Sequence, residues 1–246
     1  MSNTPSVALA RVTIVGPGRV GRALADALGS RGVSINGPLG RDARLANLPS
    51  VDIVLLCVPD GEIARVAATV PQGPLVGHCA GALTLDVLSP HEGFSLHPLL
   101  AITGEGTRFD GAAAAIAGRS PRALAVAREI ASRLGMQPIE IGEADRTLYH
   151  TAAVIASNYL VALEETAAAV GAHVRLERRH LARLAESALA NWARDGARSL
   201  TGPIARGDDA VVARQRAALA ASDAALLPLW DALTERARAI AAEARG

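Results

Sequence analysis

The chain has 246 residues, half of them hydrophobic and a fifth charged, with 25 basic side chains against 24 acidic ones. That is long enough for one large or two modest domains, too apolar for disorder, and too balanced in charge for a dedicated nucleic-acid binder. All 25 basic residues are arginine, which closes mechanisms that need a lysine: Schiff bases, the P-loop phosphate contact, and the ammonium acid of many dehydrogenases.

Alanine contributes 52 residues, and the aromatics are only Phe94, Phe109, Tyr149, Tyr159, Trp192 and Trp230. A core of Ala, Leu, Val and Ile favours closely packed helices over a β-sandwich. Cys57 and Cys79 lack a metal-type spacing, as do the six histidines, so neither a disulfide framework nor a zinc site is expected. The start MSNTPSVALA lacks the features of a signal peptide, and no apolar run approaches the roughly 20 residues of a membrane span. These readings favour a soluble, cytoplasmic protein without a membrane partner.

In chain order, RVTIVG, GVSING, VDIVLLCVP, PLVGHCAG, GFSLHP, AAAAIAG and QPIEI read as strands. Helical patterns such as RVGRALADALGSRG, EIARVAATV and PRALAVAREIASRLG lie between several of them. The alternation predicts an α/β fold with a doubly wound parallel sheet, and strands without period-two alternation predict cover on both faces. The texture changes near residue 142. The stretch from Asp145 to Val170 reads as one long helix, followed by ARLAESALANWARDG, the loop LTGPIARGD, DAVVARQRAALA and DAALLPLWDALTERARAIAAEA. The expectation is a dinucleotide-binding domain over 9–142 and an all-helical domain over 143–246, whose long apolar helix invites a partner subunit.

The strongest local signal is GPGRVG at Gly16–Gly21, which follows a strand and opens a helix. Gly16 permits the tight turn, Gly18 lets the backbone approach a pyrophosphate, and Gly21 permits close helix packing. Arg19 and Val20 start the helix whose free N–H groups face the phosphates. A glycine-rich turn that binds nothing, or an adenosyl-cofactor site, are the alternatives. About 20 residues beyond the first glycine, NAD-binding proteins place an acid. Here Asn36 stands near that place, with Arg41 and Arg44 just beyond, so NADP(H) is favoured over NAD(H); solvated surface arginines are the plainer reading. Val58, Pro59, His78 and Gly81, at the ends of the third and fourth strands, complete the expected cleft. Asp60 is placed to cap the next helix, and Cys79 is a poor nucleophile candidate.

Taken together, GPGRVGRAL, LLCVPDGEIA, HCAGALTLDVL, FSLHPL, YHTAAVIASNYLVAL and LTGPIARGD resemble a Rossmann-like family whose helical half is a domain of unknown function numbered 2520. The likeness runs from about Arg11 to the last helix. More distantly the chain is similar to pyrroline-5-carboxylate reductase, ketopantoate reductase and the β-hydroxyacid dehydrogenases. The resemblance implies a Rossmann-type NAD(P) domain, a helical domain that carries part of the active site and dimerises, and oxidoreductase activity on a small molecule. Where the last two groups keep a catalytic lysine, four residues before an asparagine matched by Asn158, this chain has Val154. Their proton donor cannot be carried over, which favours imine reduction or a different acid.

Candidates for that acid lie on the long helix, where His150, Val154, Ser157, Asn158 and Val161 would share a face at regular α-helical spacing. His150 can protonate an alkoxide or amine as hydride arrives, or simply bond to a loop; Asn158 and Ser157 can hold substrate. His97 precedes Pro98, which should take the chain out of the fifth strand and turn the imidazole to the cleft or fix a loop. Arg206 is a possible carboxylate clamp, Asp208 an N-cap, and His91, His173 and His180 read as surface residues. The resulting expectation is an NADP(H)-dependent oxidoreductase acting on a small carbonyl or imine carboxylate, with a non-catalytic dinucleotide-binding protein as the alternative.

Overall fold

The computed structural model describes residue 9 and residues 11–45 and 51–244. Apart from Leu9, the MSNTPSVALA segment read for a leader lies outside the described residues. Two compact units divide in sequence between Ile155 and Ala156.

All seven runs read as strands are strands of the first unit: β1 (Val12–Val15), β2 (Ile35–Leu39), β3 (Ile53–Leu56), β4 (Leu75–His78), β5 (Gly93–Leu99), β6 (Ala113–Gly118) and β7 (Gln137–Glu140). They form one sheet in the order β2-β1-β3-β4-β5-β6-β7. Every pairing is parallel except β5 with β6. That reversal departs from the expected all-parallel sheet. Residues 100–112 contain no helix to carry a crossover, so β6 returns beside β5 in the opposite direction. Pro98 does not end β5 as expected but pairs with Ala114. Because β4 pairs no further than Ser95, one side of β5 is open there and a residue without an N–H is tolerated.

Both sheet faces are covered, as the unbroken apolar strands imply. On one face, Ile14, Leu55, Phe94 and Leu96 pack with α1 (Arg19–Gly29) and α3 (Pro121–Arg133). The inward positions of these helices are small: Ala23 and Ala27 beside Leu24 and Leu28, then Ala123, Ala127 and Ala131 beside Ile130. On the other face, Val54, Leu56 and Val76 pack with Ile63 and Ala67 of α2 (Ile63–Ala67) and with Leu85 and Leu88 of a short 3-10 turn.

Helical residues then run without a break from Glu143 to Ala172. They comprise a 3-10 turn, α4 (Arg146–Val154), a π-helical turn (Ile155–Tyr159) and α5 (Leu160–Ala172). The first unit extends to Ile155 rather than to residue 142 because α4 returns to the sheet: Arg146 bonds to Ser95 and Tyr149 to His97. By length and composition alone this helix could cross a membrane, with a mean hydropathy of 1.2 in one 18-residue window of which no residue is buried, a feature the absence of a long uninterrupted apolar run did not predict.

The second unit continues through α5 to α6 (Arg178–Asp195), α7 (Gly202–Arg206), α8 (Asp209–Ser222) and α9 (Leu227–Glu243). The expected LTGPIARGD loop thus contains a short helix, with Pro203 in its first turn. Asp208 caps α8 as expected, accepting from the Val211 amide at 3.2 Å. Among the described residues of this unit the buried hydrophobics are Val212, Leu219 and Ala241, whereas Val161, Leu184 and Trp192 are more than 60% exposed. A cavity of about 860 Å³, lined by Leu163, Val170, Leu181, Leu219, Trp230 and Leu233, opens among its helices.

Candidate functional site

The turn after β1 is shaped by its neighbours. Gly16 has a φ of +111°, and a Cβ there would lie 2.4 Å from the Cys57 carbonyl oxygen. A Cβ on Gly21 would lie 1.9 Å from the Gly16 oxygen, so both positions are closed to any larger residue. Gly18 differs: it is the N-cap of α1, has no side-chain cap bond, and a Cβ there meets nothing within 4 Å. A backbone left uncapped and open at a helix N-terminus fits an approaching pyrophosphate, with Arg19 exposed and Val20 packed partly against the core.

Asn36 does not stand at the end of β2 as expected. It lies inside the strand, paired with Thr13, to whose hydroxyl its amide donates at 3.3 Å. A register irregularity between Thr13 and Val15 brings Leu39 level with Val15, and Gly16 N donates to Leu39 O. The segment beside the glycine turn is therefore Gly40–Arg41, and Arg41 and Arg44 are exposed there. The Glu62 carboxyl, in the turn after β3, is held below its usual range chiefly by its bond to Arg65, with a lesser contribution from the charge of Arg41. In that turn Val58 is half-buried and Pro59 exposed. Pro59, not Asp60, is the N-cap of the following 3-10 turn, so Asp60 has no capping role.

A second group of residues gathers where β4 and β5 end, on the same carboxyl edge of the parallel strands. His78 closes β4 and is register partner to Ser95, and His97 follows Ser95 by two residues, so all three face the same side of the sheet. Against them α4 sets Arg146, Tyr149 and His150. The Arg146 guanidinium donates to the Ser95 hydroxyl. The Tyr149 hydroxyl lies 2.6 Å from His97 Nδ1, and the His97 and His150 rings meet edge-on with centroids 5.9 Å apart. Both rings stand over Gly81, where a Cβ would lie 2.4 Å from His150 Cδ2 and 3.0 Å from His97 Cε1. The Ala80 amide donates to His78 Nδ1 at 3.2 Å.

Burial, foremost, pushes His78 and His97 down to about 4; Arg146 adds to this in both, and His150 in His97. Burial also raises the Tyr149 hydroxyl. At neutral pH the tyrosine therefore keeps its proton and the imidazole is uncharged. This makes Tyr149 the donor and Nδ1 the acceptor, and leaves the His97 proton on Nε2.

Of the sequence candidates, the fold brings together His78, Gly81, His97 and His150. Ser157 and Asn158 fall in the second unit, where they are exposed and the Ser157 hydroxyl donates to Asn158 Oδ1 at 3.0 Å. The π-helical turn at Ile155–Tyr159 breaks the i, i+4, i+7 spacing on which a shared face with His150 depended. Arg206 is exposed at the end of α7. His91, read as a surface residue, is buried and its Nε2 lies 3.0 Å from the Ala67 carbonyl. Cys79 lies 3.8 Å from Cys57, whose thiol is pushed up by that contact and by burial. Sequence reasoning missed Ser95, Arg146 and Tyr149. Tyr149 offered one signal, a rare aromatic hydroxyl beside a candidate histidine; nothing in the sequence distinguishes Arg146 from the other arginines. No group of acids, cysteines and histidines among the described residues is arranged to hold a metal.

The fold and this edge of the sheet define a protein of Rossmann type with a helical C-terminal part. Residues 112–237 match the family described as Domain of unknown function (DUF2520), and the chain belongs to that family. Among curated proteins none matches. Among solved structures the chain is similar to a proposed NADP oxidoreductase from Bacteroides fragilis, with 19% identity, a TM-score of 0.78, and 93% of this chain and 98% of that one covered. A protein from Thermotoga maritima gives 23% identity and a TM-score of 0.78 over 96% and 100% of the two chains. Plasmodium falciparum pyrroline carboxylate reductase with NADP bound gives 14% identity and a TM-score of 0.62 over 94% and 98%. At these identities the likeness establishes the shared fold.

Proposed function

We propose that the protein is an NADP(H)-dependent oxidoreductase acting on a small carbonyl or imine compound that carries a carboxylate. The observation that carries the reading is the placement, on one sheet edge, of an open glycine turn at Gly16–Gly21 and the imidazole pair His97–His150 over Gly81. The NADP named for two of the structural relatives supports the choice of cofactor.

Bound NADP(H) would supply or take up the hydride. Gly18 and the first amides of α1 would hold its pyrophosphate, and Arg41 with Arg44 its 2′-phosphate, while Val58, Pro59 and Gly81 line the cleft between. His97 and His150 then stand at the substrate. His97 offers its Nε2 proton to the oxygen or nitrogen that becomes basic as hydride arrives, Tyr149 passes its own proton to Nδ1, and the partly exposed phenol is reprotonated from solvent. An imidazole and a phenol thus take the place of the absent lysine.

The second unit supports a homodimer, in which a second copy covers the apolar surface of α5 and α6. A unit that buries so few hydrophobics while exposing Val161, Leu184 and Trp192 is short of core for its size. A second copy suits the long helix better than lipid does, because Arg146 and Tyr149 dock its first turns on the sheet and Glu164 and Glu165 interrupt it. The two free cysteines suit the cytoplasm.

Mixing the protein and NADPH with a panel of small 2-oxo acids, cyclic imino acids and carbonyl–amine pairs tests the reading. Loss of NADPH absorbance with at least one member is expected. NADPH binding without oxidation across the panel, together with an unaltered His150→Ala variant, would instead identify a non-catalytic binding protein.

A further inference from the structure

Arg146 is fully buried, and of its donors only one Nη2 hydrogen has a partner, the Ser95 hydroxyl. Nε and Nη1 have none among the described residues; in the same cluster His78 Nε2 makes no hydrogen bond of full geometry, although the Thr84 backbone acts on that imidazole. Ser95 is the register partner of His78, so these orphaned atoms belong to one site. Among the described residues no carboxylate forms an ion pair with it: Glu143, three residues upstream, acts on the guanidinium only through space and accepts instead from the Leu85 amide at 2.9 Å.

An arginine cannot discard its proton to escape this, and an unpaired buried cation is destabilising by several kcal/mol. Its imidazole neighbours, being neutral, do not compensate. Tyr149 and His150, on the same helix, remain partly exposed and connect the cluster to solvent. We propose that Arg146, with Ser95 and His78, forms the subsite that takes the substrate's carboxylate. One guanidinium among neutral imidazoles is balanced by a single negative charge, which favours a monocarboxylate over a dianionic phosphate. The inference rests on the oxidoreductase reading for the word substrate, but the site itself does not require a cofactor. It assigns to Arg146 the role for which the sequence had offered Arg206.

Calorimetric and thermal-shift titrations with propionate, its neutral isostere propionamide, and inorganic phosphate test this on the full-length protein, each with and without NADPH. Propionate is expected to bind saturably and to raise Tm, with propionamide at least about tenfold weaker. Arg146→Met should abolish the propionate response while leaving the ligand-free Tm unchanged or higher, because it removes an unbalanced charge. Arg146→Lys should keep a response weakened about tenfold. The proposal is overturned by equal binding of propionate and propionamide, by a preference for phosphate, by no propionate response in the wild type, or by an undiminished response in Arg146→Met. If the methionine variant does not fold, the comparison of propionate with propionamide on the wild type still decides. Because no turnover is read and cofactor-free titrations are included, a negative result here leaves the NADPH reading standing, and failure of NADPH binding leaves this one standing.

Discussion

The Tyr149 hydroxyl donates to His97 Nδ1 across 2.6 Å, joining the first turns of α4 to the end of β5. With the imidazole held neutral and the phenol protonated, the pair can move one proton toward Gly81 and recover it. Tyr149→Phe keeps the ring and removes that proton. Single-turnover NADPH oxidation should slow about ten- to hundredfold, with NADPH affinity within about twofold of wild type. An unchanged rate would remove Tyr149 from the mechanism.

The same burial makes stability depend on pH. His78 and His97 take up protons near 6.5 when unfolded but only near 4 when folded. Their folded values lie below the unfolded ones, so stability is fully present above about pH 6.5 and falls from there to about pH 4. Each imidazole contributes a slope of about 1.4 kcal/mol per pH unit within that window. Urea unfolding between pH 7.5 and 5, above most carboxylate titration, should show the decline. His78→Asn, which can still accept from the Ala80 amide, should reduce it; a flat profile would contradict the buried neutral imidazoles.

The glycines of the turn separate folding from binding. Gly21→Ala puts a Cβ into the Gly16 carbonyl and should lower Tm by several degrees, or prevent folding. Gly18→Ala meets open space and should leave Tm nearly unchanged while weakening NADPH at least about tenfold, because the added methyl stands where the phosphates approach. Equal effects of the two on Tm would undo this division.

Arg41→Ala tests the cofactor preference. Loss of a guanidinium from the 2′-phosphate should weaken NADPH about tenfold and leave NADH unchanged. Parallel losses for both cofactors would place Arg41 elsewhere.

Sedimentation should give twice the 25.2 kDa chain mass for the wild type. Leu184→Glu and Trp192→Glu, which alter exposed residues of α6, should shift it toward monomer. A monomeric wild type would leave the apolar surface of the helical unit without the proposed cover.

How far the sequence foretold this depended on the range of the interactions. Every strand was readable, because an apolar run bounded by glycine and proline reports local burial. The antiparallel β6 was not, since strand direction follows from the absence of a crossover helix between Leu99 and Ala113. Gly16, Gly18 and Gly21 were readable because the motif is contiguous. Asn36 was misplaced because a register irregularity between Thr13 and Val15 alters the count along β2. The face proposed for His150, Ser157 and Asn158 assumed 3.6 residues per turn, which the π-helical turn does not keep. The partners of His97, Tyr149 and His150, are 52 and 53 residues away, Ser95 is 51 residues from Arg146, and no local pattern identifies Arg146 as the arginine that is buried.

The central claim, that the glycine turn of this chain holds NADPH, is tested most directly by fluorescence titration of the wild type with NADPH. Saturable binding with a Kd below about 100 µM, abolished or at least tenfold weaker in a folded Gly18→Ala variant, is the predicted result. Absence of saturation up to about 1 mM NADPH, or equal binding by Gly18→Ala, would contradict it.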